Sequence, residues 1–213
     1  MSTCGGMPRS KPHYHHGDLR NALVHQAVKL IEDAGAETFS LREAARLVGV
    51  SANAAYRHFA DKSALLAAVA QVGFGIQERY IQRAIAAVPV LPTEAERAIE
   101  RMKAAGRGYM EFAVDHRELH RVMLGSRHPS GEDGLPETPS YALLSKGLDE
   151  MVAAGVLPPN RRPGAELKAW TVVHGFATLV VEGVEVLQKR GPRTKAFEAV
   201  LDFAMIGLCG KVK

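Results

Sequence analysis

Cysteine is nearly absent from this chain: Cys4 and Cys209, at opposite ends of 213 residues, make no disulfide framework. No run reaches the roughly 18 apolar residues that a membrane helix needs. The nearest, Ala169 to Val181, is shorter and is interrupted by His174 and Gly175. The N-terminus lacks the apolar stretch of a secretory signal, so a cytoplasmic protein without a membrane partner is expected. Strand-like alternation and internal repeats are missing too, which points to an all-α fold. There is no nucleophile elbow, Gly-rich phosphate loop, CxxC pair or paired-carboxylate constellation. The sequence therefore reads as a non-enzyme with no cofactor.

What is present is an ordinary globular balance, with 46% hydrophobic and 23% charged residues, a net charge of +4 and a pI of about 9.1. The charge permits an anionic partner without demanding one, because residues 1–70 hold eight Lys/Arg against six Asp/Glu. Only the start is biased. Arg9, Lys11, His13, His15 and His16 precede Asp18, the first acid, and the Gly- and Pro-rich residues 1–17 read as a flexible arm that could track DNA.

Helical spacing begins at Asp18, with Leu19, Leu23, Ala27, Leu30 and Ile31, and ends at Gly35. Ser40 and Glu43 form a capping-box pattern that opens a short helix from Leu41 to Val48, and Gly49 can supply the tight turn that stops it. Ser51 caps a second short helix over Ala52 to Phe59, and Asp61 caps a long one toward Ile85. Leu47, Val50, Ala55 and Phe59 have the spacing to lock the short pair, and Phe39 reads as core. Further helices are predicted at 93–116, 118–124, 141–154, 165–188 and 193–208, the last two separated by Gly191-Pro192, with a long loop at 127–139. The total is about nine.

Two short helices around Gly49, flanked by longer ones, describe a helix-turn-helix. Its second helix suits the major groove: Ala52, Ala54 and Ala55 are small, and Asn53 can bond a base edge. Tyr56 and His58 can donate to phosphates, Lys62 adds positive charge beside a helix N-terminus, and Arg42 can reach a guanine or a phosphate.

Phe39-Ser40-Leu41-Arg42-Glu43-Ala44-Ala45, Gly49-Val50-Ser51 and Tyr56-Arg57-His58-Phe59-Ala60-Asp61-Lys62 resemble the signature of the TetR family DNA-binding domain. With Ser40, Ser51 and Arg57 added from this signature, the candidate contacts to double-stranded DNA are Ser40, Arg42, Ser51, Ala52, Asn53, Ala54, Tyr56, Arg57, His58 and Lys62. Trp170, His174 and Gly175, with Glu118 to Leu124 and Gly183, resemble the Trp-His-Gly type of C-terminal domain, although His120 stands where Tyr is commoner. The resemblance implies a homodimeric repressor that an unknown small molecule releases from a palindromic operator. It divides the chain into an arm (1–17), a DNA-binding domain (18–64) and a ligand-binding and dimerisation domain (65–213). The expected ligand pocket is Met102, Tyr109, Phe112, His120, Met123, Trp170, His174 and Phe176. The expected dimer contacts, on the last two helices, are Val180, Val184, Leu187, Phe197, Val200, Leu201 and Ala204.

Plainer readings compete. Trp170 and His174 also make a good core, as do Met102, Met110, Tyr109 and Phe112. A regulator of the same fold without an effector fits the residues too. His116 and His120 stand one turn apart and could hold zinc in a metal-dependent enzyme, but Arg117 follows where a zincin has Glu and no third ligand is spaced to join them.

Overall fold

The computed structural model describes residues 16–125 and 137–210, so the arm through His15 and the loop at 127–136 lie outside the described residues. Among the described residues it is all-α: nine α-helices, two short 3-10 turns and no strand. Its helices are α1 (His16–Ala34), α2 (Leu41–Val48), α3 (Ala52–Tyr56), α4 (Lys62–Ala86), α5 (Glu94–Asp115), α6 (Arg117–Gly125), α7 (Pro139–Ala153), α8 (Ala165–Val181) and α9 (Arg190–Cys209). No described helix is long and apolar enough to cross a membrane.

Caps begin the helices where the sequence places them. Thr93 opens α5 with a complete capping box, its hydroxyl accepting from the Glu96 N–H while Glu96 Oε2 accepts from the Thr93 N–H. At α2 the box is half built. Ser40 Oγ accepts from the Glu43 N–H at 3.1 Å, and Glu43 makes no described return bond.

The expected break between the last two helices is misplaced. α8 ends at Val181, Gly183 turns the chain at φ 87°, and a 3-10 turn (Glu185–Leu187) follows. α9 then starts at Arg190, so Gly191 and Pro192 lie inside its first turn. Proline is tolerated there because the N–H it lacks has no partner within the helix anyway.

Three apolar clusters hold the molecule. The first joins α1, α2, α3 and the early part of α4 through Leu23, Ile31, Phe39, Phe59, Leu65 and Val69, and it also takes in Phe112, Leu119, Val122 and Met123 from α5 and α6. The expected division at residues 64 and 65 thus falls inside α4, whose Leu65, Val69, Ala70 and Phe74 belong to this core. The second cluster gathers Met102, Leu148, Met151, Leu157, Ala169 and Met205. The third gathers Met110, Phe176, Val180, Phe197 and Leu201. Between them, α4 lies so close to α5 that a Cβ on Gly108 would stand 2.7 Å from the Tyr80 carbonyl oxygen. Arg107 clamps α5 to α9 through both carboxylate oxygens of Glu198, at 2.7 and 2.9 Å, and Lys103 adds Asp202 at 2.8 Å.

Candidate DNA-binding face and ligand cavity

The turn of the helix pair is set by Gly49, at φ 82°, ψ 27°. Its N–H bonds the Arg46 carbonyl and the Val50 N–H bonds the Ala45 carbonyl, closing the end of α2 as only a left-handed residue permits. Ser51 Oγ accepts from the Ala54 N–H at 3.2 Å and starts α3. α3 is shorter than expected, ending at Tyr56 rather than Phe59. Ala55 and Phe59 are buried as expected, and Val50 packs against the same core. Leu47 is not buried: it is 44% exposed, and Leu41, Ala44 and Ala45 supply the buried face of α2 instead.

Arg42, Asn53, Tyr56 and Arg57 are exposed, and Ala52, Ala54, His58 and Lys62 are half-buried. Ser40 and Ser51 are spent on helix caps. Lys62 Nζ donates to the Glu37 carbonyl at 3.2 Å and lies 5.8 Å from the centre of the Phe39 ring, so part of its role is to tie α4 to the loop before α2.

The second site is a cavity of about 100 Å³ in the C-terminal body. Six of the eight expected pocket residues line it: Met102, Tyr109, His120, Met123, Trp170 and His174. Phe112 and Phe176 do not. Phe112 is fully buried in the first cluster between Tyr80 and His116, and Phe176 stacks at 5.0 Å on Phe197 in the third. Helical spacing makes both look pocket-facing, but neighbouring helices take those faces. Sequence reasoning missed the contributions of α4 (Phe74, Gln77, Ile81) and α7 (Ser140, Tyr141, Leu144). Gln77 carried a signal: it is a polar side chain, 2% exposed, on the apolar face that Phe74 and Ile81 define.

Several polar groups of the cavity are paired, while the buried Nδ1 of His120 has no hydrogen-bond partner among the described residues. The Tyr109 hydroxyl stands 2.7 Å from His174 Nδ1 and 3.5 Å from His120 Nε2, and Ser140 Oγ donates to Gln77 Oε1 at 2.5 Å. Burial pushes the Tyr109 phenol up to about 12, against the opposing pull of Trp170 and Gln77. Burial also pushes the His120 imidazole down to about 4, with His174 and Arg121 adding to the effect, so it is neutral at pH 7.

His116 and His120 do not converge as metal ligands. His116 bonds Glu32 and reaches the Tyr80 hydroxyl at 3.3 Å, whereas His120 faces Tyr109. Among the described residues no group of three His, Cys, Asp or Glu side chains is placed to hold a metal ion.

The expected dimer contacts need correction. Val180, Leu187, Phe197, Leu201 and Ala204 are buried within the protomer, Leu201 and Ala204 against the cavity. Of that set Val184 is exposed and Val200 half-buried. The open faces are others: Leu167, Thr171, Gly175 and Leu179 along α8, and Ala199, Phe203, Ile206 and Gly207 along α9. Phe203 is 68% exposed, and neither row contains a charged residue.

Two family models match. Residues 23–69 match the one described as bacterial regulatory proteins, tetR family, and residues 102–204 the one described as tetracyclin repressor-like, C-terminal domain, which names no Trp-His-Gly subtype. No protein of curated function matches the chain. Among solved structures, a protein of unknown function from Rhodococcus sp. RHA1 is 33% identical with a TM-score of 0.73, covering 93% of this chain and all of its own. A possible TetR family transcriptional regulator from Streptomyces coelicolor A3(2) has the same fold at 21% identity, TM-score 0.62, covering 89% of this chain and 98% of that one. So does a TetR variant from Acinetobacter baumannii AYE in complex with minocycline, at 20% identity and TM-score 0.61, with 88% and 94% covered.

Proposed function

Because the chain belongs to the TetR family of bacterial regulatory proteins, we propose that it is a cytoplasmic homodimeric repressor that a small molecule releases from a palindromic DNA operator. The observation that carries this reading is the double duty of α4. Its first turn holds Lys62 beside the helix-turn-helix, and three turns later the same helix lines the cavity with Phe74, Gln77 and Ile81. A molecule seated in the cavity touches the element that carries the DNA-binding head.

In this reading Asn53 reads a base edge in the major groove, while Arg42, Tyr56, Arg57, His58 and Lys62 hold phosphates. Ser40 and Ser51 position the two helices. A single recognition helix reads few base pairs, so a two-fold dimer contacts half-sites about one helical turn apart, or a multiple. The uncharged rows on α8 and α9 supply the dimer contact, since exposed apolar faces of this kind mark association surfaces. A tilt of α4 changes the spacing of the paired recognition helices. A coupling of about 1–3 kcal/mol alters DNA affinity roughly 5–150-fold, and DNA weakens the ligand by the same factor.

Selection of operators from a random duplex library, followed by a screen for compounds that release the bound duplex, tests this reading. A palindrome should be enriched, and a releasing compound should lose its effect on a Trp170→Ala variant. No enriched sequence would overturn the DNA-binding role of this face. An enriched palindrome that no compound releases would leave a regulator without an effector.

A further inference from the structure

We propose that the cavity takes an uncharged single-ring compound carrying one hydroxyl or carbonyl oxygen. The inference rests on the reading of this cavity as the effector site and names what that site selects.

Charge decides the first point. Among the described residues no Asp, Glu, Lys or Arg lines the cavity. A carboxylate, phosphate or ammonium entering it would lose its hydration and meet no opposite charge, the costliest form of burial. Burial takes one of the cavity's imidazoles out of that role. His120 is 1% exposed and held neutral by burial, and His174 lies against the Tyr109 hydroxyl at 2.7 Å.

Size and shape decide the second. Apolar cavities of roughly 150 Å³ admit benzene, so at about 100 Å³ this one has no room for a fused-ring skeleton and takes a single ring only with a small outward shift of its walls. Rings already face the space. Trp170 lies 5.1 Å from the His174 ring and 6.5 Å from Tyr141, centre to centre, giving edges and faces for an aromatic guest.

The distribution of polarity decides the third. Gln77 with Ser140, and Tyr109 with His120 and His174, form the polar side. The lining also includes Met102, Leu144, Ala169, Ala204 and Met205, which belong to or pack against the second apolar cluster. A guest with one polar end and an apolar body satisfies both sides. A pure hydrocarbon leaves the polar side unanswered.

Trp170 is the only tryptophan, so its fluorescence reports on the cavity of the intact protein without a label. At pH 7 the probes are benzyl alcohol, toluene, benzoate and benzylammonium, which share one ring and differ in a single substituent. Benzyl alcohol should give a saturable fluorescence change. Benzoate and benzylammonium should bind at least thirtyfold more weakly, and toluene several-fold more weakly. The benzyl alcohol response should vanish in Ala105→Leu, which fills the cavity. Charged probes binding as well as the alcohol would overturn the proposed class while leaving the cavity a ligand site. An alcohol response that survives cavity filling, or no response to any of the four, would remove the cavity as the effector site and both readings with it.

Discussion

Met123 places its Sδ 2.5 Å from the point where a Cβ on Gly73 would stand, so one side chain caps a notch in α4 and also lines the cavity. The missing methyl on Gly73 is what lets α6 and the cavity wall sit directly on that helix. Gly73→Ala should push Met123 toward the cavity. The thioether is flexible and a helix gains about 1 kcal/mol when Gly becomes Ala, so net stability should change by no more than about 1 kcal/mol. Ligand affinity should nevertheless fall, and Met123→Ala should restore it. Gly108→Ala is the contrasting case, because the obstacle there is the backbone of Tyr80 and Ile81. It should cost about 3 kcal/mol. Urea unfolding of both variants checks the pair, and a Gly108→Ala protein as stable as the parent would refute the close crossing of α4 and α5.

Stability should fall in acid because of His120. Its folded value of about 4 lies below the unfolded 6.5, so the unfolded chain takes up a proton first as pH drops. The contribution is complete above pH 6.5, is lost between 6.5 and 4, and is flat below 4. Over that window the loss from this group is about 3 kcal/mol. Comparing the parent with His120→Leu isolates it from the carboxylates. The variant should show a shallower fall, and equal slopes would mean that His120 is not buried neutral.

On DNA, Asn53→Ala should relax preference at one operator position by roughly 1–3 kcal/mol. Lys62→Ala should weaken every sequence alike and lower the salt slope by about one. Anisotropy titrations over a salt series, on operator and scrambled duplex, separate the two effects. A uniform loss in Asn53→Ala would remove it as a base reader.

Phe203→Glu should yield folded monomers, because it places a charge in the proposed contact while disturbing little within the protomer. Leu201→Glu should unfold the chain instead, since Leu201 is 2% exposed beside the cavity. Sedimentation with circular dichroism distinguishes the cases, and an intact Phe203→Glu dimer would relocate the interface.

Local chemistry made the head legible in the sequence. Ser40, Gly49, Ser51 and Asp61 act through bonds to residues within five positions, so their spacing alone specified the helix pair. Leu47 was misread because a short helix of mixed periodicity leaves more than one apolar position to choose from. α8 posed a harder problem. Val172, Val173, Phe176, Leu179 and Val180 surround the helix, and periodicity cannot say which side meets the protomer and which stays open. Burial assigned Val180 inward and Leu179 outward. The cavity is a convergence of six helices, and spacing along one helix could not bring Gln77 to Ser140, 63 residues away.

The first apolar cluster ignores the boundary that the sequence suggests, because Phe112, Leu119, Val122 and Met123 complete the core of the DNA-binding head. The head is therefore not a portable module. A chimaera that grafted residues 18–64 onto another regulator would leave this core without Leu65, Val69, Phe112, Leu119, Val122 and Met123. A functional transplant must carry α4 and the α5–α6 corner as well, and recipient bodies with a different corner will reject it whatever operator it reads.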